Sequence, residues 1–137
     1  MTASSQYGTI CCSASEGRLN NRNKWLAASN DANPWIEVDL DEPTVVTGVI
    51  TQGISRSIRM WVTAYKVAYK KQHSSDYEYV TDGNGDIKVF IGNTDTDTPV
   101  TNLFDESVVA TVVRIEPMEW YSNYVAMRLE LLGCRHN

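Results

Sequence analysis

The acidic and amide side chains between residues 82 and 97 come nearest to metal chemistry in this sequence. Asp82-x-Asn84-x-Asp86 reproduces the opening of a calcium loop, where oxygen ligands at alternate positions converge on a hard cation. The rest of that loop is missing: Ile87 stands where the sharp turn needs glycine, and Asn93 where a bidentate glutamate should close the shell. These residues therefore predict a hairpin turn, with Asn84-Gly85 supplying positive φ. The stretch 93–97 reads as a solvated acidic turn. His73, Ser74 and Asp76 are the residue types of a hydrolytic triad, but neighbours in one polar loop have no preorganised mutual geometry. His73 and His136 have no cysteines and carboxylates at ligand spacing around them. Neither catalysis nor a cofactor is expected.

Charge points to binding instead. The 137 residues carry a net charge of −5, unevenly spread. Residues 1–70 hold seven basic side chains (Arg18, Arg22, Lys24, Arg56, Arg59, Lys66, Lys70) against six acidic ones, and the remainder holds five against eleven. A generally acidic surface argues against nucleic acid as a partner. Arg22, Lys24, Arg56 and Arg59 fall in two polar stretches without regular periodicity, which makes those stretches candidate ligand loops.

The elements that must position such loops are strands. Residues 35–53 read WIEVDLDEPTVVTGVITQG. Ile36, Val38 and Leu40 alternate with Trp35, Glu37 and Asp39, the period of a strand with one dry face. Asp41-Glu42-Pro43 is a break, and Val45, Val46, Val49 and Ile50 start a second strand. Further strands are expected over 62–70, 77–80, 87–91, 108–115 and 125–132. In the last, Val125, Met127, Leu129 and Leu131 face the core while Arg128 and Glu130 face out. The predicted core is Ile36, Val38, Leu40, Val49, Val67, Val113, Met127 and Leu129. Less than about a tenth of the chain is expected in helix, and one domain spans residues 1–137. The longest apolar run is too short to cross a bilayer as a helix.

These strands carry a family resemblance. WIEVDL at 35–40, VTGVITQG at 46–53 and WVTAYKV at 61–67 resemble the discoidin family, the coagulation factor 5/8 type C domains. So do Phe90-Ile91-Gly92-Asn93 with Asp95, Arg114-Ile115-Glu116-Pro117 with Trp120, and Met127-Arg128-Leu129-Glu130 with Gly133-Cys134. Thr2-Ala3-Ser4-Ser5 and Arg18-Leu19 fit upstream. The resemblance implies an all-β, antiparallel β-sandwich of jelly-roll, galactose-binding-like type that binds and does not catalyse. It implies an extracellular module, with any signal peptide lying outside this chain.

By the same resemblance, three ligand-facing loops gather at one end of the sandwich: residues 8–13, 22–30 and 54–59. The implied site residues are Tyr7, Ile10, Cys11, Arg22, Lys24, Trp25, Leu26, Asn30, Arg56, Ile58 and Arg59. Trp25 either walls the pocket or plugs the sandwich end. Family members use such loops for membrane phospholipid, for cell-surface glycan or for a protein partner, and some lectins among them hold calcium. Recognition of a terminal arginine is not expected here, because Leu26 and Met60 replace polar and aromatic pocket members. Cysteine arithmetic alone would join Cys11 or Cys12 to Cys134. The resemblance places loop tips and chain ends at opposite poles, so Cys134 is expected to be unpaired, or paired outside the chain, and the two adjacent cysteines accessible.

Overall fold

Four strands carry the fold: β3 (Ile36–Gln52), β5 (Arg59–Lys70), β8 (Val100–Tyr121) and β9 (Ala126–Arg135). Shorter strands complete it: β1 (Thr2–Ala3), β2 (Trp25–Leu26), β4 (Ile54–Ser55), β6 (Glu78–Tyr79) and β7 (Phe90–Ile91). The computed structural model describes residues 1–8, 12–55 and 58–135. All strand pairings are antiparallel, in the order β2-β9-β3-β8-β5-β4, with β1 added to β3 and with β6 and β7 added to β5. The only helix among the described residues is a three-residue 3-10 turn, Ala14–Glu16. The expected sandwich therefore takes the form of one curled, jelly-roll sheet, because β3 and β8 each contribute to both halves.

The break expected at residues 41–43 is corrected by the structure. The backbone runs through as a single strand, and the extra residues appear as a register shift between Asp39/Val112 and Thr44/Ala110. Asp41 takes a left-handed φ of 64°, and its N–H donates to Asp39 Oδ1 at 2.9 Å. Pro43 lies among the residues skipped by the ladder, so its missing donor costs no strand bond. A bulge of this kind bends and twists a ribbon, which is what carries β3 from one half of the barrel-like sheet to the other.

Most of the predicted core is buried. Ile36, Val49, Val67, Val113, Met127 and Leu129 are at most 1% exposed and pack with Trp25, Tyr65 and Phe90. Burying each such aliphatic side chain stabilises the fold by roughly 1.5–3 kcal/mol. Val38 and Leu40 are a correction: they are only half-buried, because they approach the bulge and line a surface groove with Met1 and Leu131. Glu37 faces the other side as expected, but that side is not simply wet. The Arg114 guanidinium lies 3.8 Å from the Trp35 ring centre and 4.2 Å from that of Tyr77, and it donates to Glu37 at 2.9 Å. Tyr77 donates its hydroxyl to Glu37 as well, and burial followed by that bond pushes its pKa up to about 12.

Arg128 is the larger correction. It was expected to face out, yet it is 5% exposed. Its neighbours Ala126 and Met127 are both fully buried, so β9 begins with both faces covered. Met127 enters the main core, whereas Ala126 packs with Cys12, Leu26, Ile54 and Met60 in a second, smaller cluster.

Candidate ligand-binding end

The strand directions fix where the loops meet. β3 ends at Gln52, β5 begins at Arg59, β8 ends at Tyr121 paired with Trp61, and β9 begins at Ala126 paired with Leu26. Residues 18–26, 53–55, 58–60 and 121–126 therefore share one end of the sheet. The second apolar cluster lies beneath them, with Tyr124 against it. Gly53 permits the close approach: a Cβ there would stand 2.3 Å from the Met60 carbonyl and 3.0 Å from that of Asp95. That contact also brings in a loop not assigned to the site from sequence, residues 93–98. Asn93 anchors it, donating to the Thr51 and Thr98 carbonyls at 2.9 and 3.1 Å.

The predicted site residues divide into three groups. Tyr7, Arg22, Asn30, Ile58 and Arg59 are exposed; Tyr7 and Ile58 keep 46% and 43% of their surface in solvent. The Tyr7 ring meets Tyr124 edge-on at 6.4 Å. Lys24, Trp25 and Leu26 are buried, which corrects their reading as contact residues. The Trp25 indole is wholly covered and donates to the Ser5 carbonyl at 2.9 Å, so of its two expected roles it performs the plug. Ile10, Cys11 and Arg56 lie outside the described residues.

Cysteine chemistry follows the same geography. Cys134 is free and exposed, as the polar separation of loops and termini implied. Cys12 is disulfide-bonded and fully buried, so the expectation that it is accessible is corrected.

Sequence reasoning missed a buried polar hub beneath these loops. Arg128 Nε donates to the Gly53 carbonyl at 2.8 Å, Nη1 to the Asn21 carbonyl at 2.9 Å and Nη2 to the Thr96 carbonyl at 3.2 Å. Nη2 also reaches Asp97 Oδ1 at 3.3 Å. The Asp97 side chain is 80% exposed, so water screens that ion pair and the three carbonyls dominate. Hydrogen bonds from a charged donor contribute roughly 1.5–3 kcal/mol each, and the buried guanidinium could not do without them. Beside it, Gln52 Oε1 accepts the Asn20 N–H at 2.8 Å, while its Nε2 donates to Asn20 Oδ1 and to the Asp97 carbonyl at 3.1 and 2.7 Å.

The electrostatics of this end also differ from expectation. The sequences of the three predicted loops hold no carboxylate, but loop 93–98 contributes Asp95 and Asp97. The Thr98 hydroxyl and backbone N–H, and to a lesser degree the charge of Arg59, hold Asp95 below the usual carboxylate range. Tyr121 adds an aromatic plate: its ring stacks on Trp61 at 4.1 Å and 17°, and it remains 48% exposed.

At both candidate calcium turns the carboxylates serve donors of the turn itself. Asp82 Oδ1 accepts the N–H groups of Asn84 and Asp86, and Asp95 accepts from Asp97 and Thr98. Each carboxylate closes its own turn, and among the described residues no three His, Cys, Asp or Glu side chains converge as metal ligands. His73 Nε2 pairs with Asp39 Oδ1 at 2.9 Å on the exposed surface.

A curled antiparallel sandwich whose loops gather at one end, held from below by buried polar bonds, has the architecture of a binding module. The F5/8 type C domain profile matches residues 1–131, and the chain belongs to that family. It is 38% identical to Bos taurus lactadherin over 98% of its length and 35% identical to Mus musculus retinoschisin over 88%. It spans 33% and 54% of those two proteins. The recombinant discoidin II of Dictyostelium discoideum superposes with a TM-score of 0.82 at 23% identity, over 98% of this chain and 55% of the other.

Proposed function

We propose that the loop end binds a cell-surface carbohydrate outside the cell and catalyses nothing. The observation that carries this reading is Tyr121, a plate backed by Trp61 with its other side open, next to a rim of both charge signs. Sugar rings offer apolar C–H faces that stack on aromatic plates, and hydroxyls that take hydrogen bonds from guanidinium and give them to carboxylate. Arg59, Asp95 and Asp97 supply both kinds of partner. A glycan array tests it. Tyr121→Ala should lower binding at least tenfold with an unchanged circular dichroism spectrum; binding equal to that of the parent chain would overturn it.

A second reading, insertion into anionic membrane, is favoured by one feature, the exposed Ile58 beside Arg59. Burying one aliphatic tip contributes roughly 1.5–3 kcal/mol and a basic side chain about 1 kcal/mol, so several must act together. Under this reading Ile58→Asp abolishes binding to phosphatidylserine liposomes and Arg59→Ala weakens it most at low salt. Under the carbohydrate reading, Ile58→Asp leaves glycan binding within about twofold, since it changes no hydrogen bond or stacking contact.

A further inference from the structure

We propose that Arg128, together with Gln52, is the positioning residue of the binding end, fixing how far apart its loops stand and which polar groups they present. This rests on the carbohydrate reading for its consequence, but the geometry stands independently. One guanidinium reaches three separate backbone segments, at Asn21, Gly53 and Thr96. The neighbouring Gln52 carboxamide ties Asn20 to Asp97 from the strand end between them. Every bond except that to Asp97 Oδ1 and that to Asn20 Oδ1 ends on backbone, so the pair reads the path of the chain rather than its side chains.

Arg128 and Gln52 thus both link loop 18–22 to loop 93–98. Asn20 sits at a left-handed φ of 63°, a conformation that an asparagine tolerates and that the Gln52 bonds hold in place. Asp97, with its side chain almost wholly in solvent, is delivered to the rim through its own carbonyl on Gln52 and through the Thr96 carbonyl on Arg128. The cleft floor is thus rigid while its ligand-facing atoms stay free. A binding site whose groups are already oriented avoids the ordering cost that loose loops incur on association.

The replacement Arg128→Lys keeps the buried charge but cannot span three carbonyls. Gln52→Met keeps volume and removes all three side-chain bonds, and serves where Arg128→Lys fails to fold. Hydrogen–deuterium exchange of the ligand-free chain is the first measurement. Amides of residues 18–22 and 93–98 should exchange at least tenfold faster in either variant, with those of 61–70 and 108–115 unchanged. Glycan affinity should fall at least tenfold in parallel, whereas Asp97→Ala, which removes only the solvent-screened ion pair, should leave loop exchange within about twofold. Loop exchange unchanged in a folded variant, or uniformly faster exchange across all strands, would overturn the proposal. Local loosening in a chain whose parent binds no glycan would uphold Arg128 as the positioning residue and refute the ligand instead.

Discussion

The two kinds of turn in this molecule are held in different ways. At the Asp82–Asp86 and Asp39–Thr44 turns, polar side chains serve backbone groups two to four residues away. At the candidate ligand-binding end the bonds join residues 32, 45, 75 and 107 positions apart. Turns of the first kind are self-contained and can be altered one at a time. Loops of the second kind share a floor, so disturbing one member should move the others. Within one sheet, the chain keeps independent turns where it only reverses direction and interdependent loops where it offers a surface.

The largest test of this contrast is Trp25→Ala. The indole fills the end of the main core, pairs through β2 with Met127, and ties the segment at Ser5 to the loop end. Its loss should cost about 3–5 kcal/mol, measured by urea unfolding, and should loosen residues 5–7 and 125–127 together. A loss below about 1 kcal/mol would mean that the plug carries no load and that the loop end is held by polar bonds alone.

How much of this was legible in the sequence depended on the kind of information each residue carries. Period-two alternation placed Ile36, Val49, Val67, Val113, Met127 and Leu129 in the core, because a strand's own geometry produces the pattern. The same alternation misplaced Arg128. It reported that Arg128 lies opposite Met127 and Leu129, but not that loops 18–22 and 93–98 fold over that second face. Family resemblance located the loop end, yet it could not tell an exposed side chain from a buried one. Lys24, Trp25 and Leu26 were grouped with Ile58 and Arg59, although only the latter two reach solvent. Tyr121 was findable: it stands in the turn between two predicted strands, and strand direction alone puts that turn at the loop end. Asp95 was read as a local turn residue, which it is, and its approach to Gly53 is a tertiary contact with no local signature.

Asp31 gives the intermediate case, since it links segments 26 and 27 residues apart near the loops through two hydroxyls. Ser4 donates to its Oδ2 at 2.5 Å and Ser5 at 2.6 Å. Burial pushes its pKa up, but the two hydroxyls and the Asn33 N–H outweigh that and leave it lowered. A carboxyl with a depressed folded pKa contributes stability that is complete above its unfolded value of about 3.9 and is lost as pH falls through the folded value. Acid unfolding of the parent chain should therefore steepen below about pH 3.9, and Asp31→Ala should flatten that slope while costing about 1–2 kcal/mol at neutral pH. An unchanged acid profile would place the proton uptake on other carboxylates.

The smallest effect belongs to Asp82→Ala, the counterpart of Arg128 on the self-contained side. Asp82 Oδ1 accepts the N–H groups of Asn84 at 2.8 Å and Asp86 at 3.1 Å, and the turn is also closed by two backbone bonds between Asp82 and residues 85 and 86. Asn84 and Asp86 are exposed, so water can replace the carboxylate at both donors. The expected cost is less than about 1 kcal/mol, confined to faster exchange at residues 83–86. Glycan or liposome binding should be unchanged, because the bonds that Asp82 makes end within residues 84–86. A loss of binding equal to that of Tyr121→Ala, with the fold intact, would move the ligand site away from the loop end and erase the distinction between the two kinds of turn.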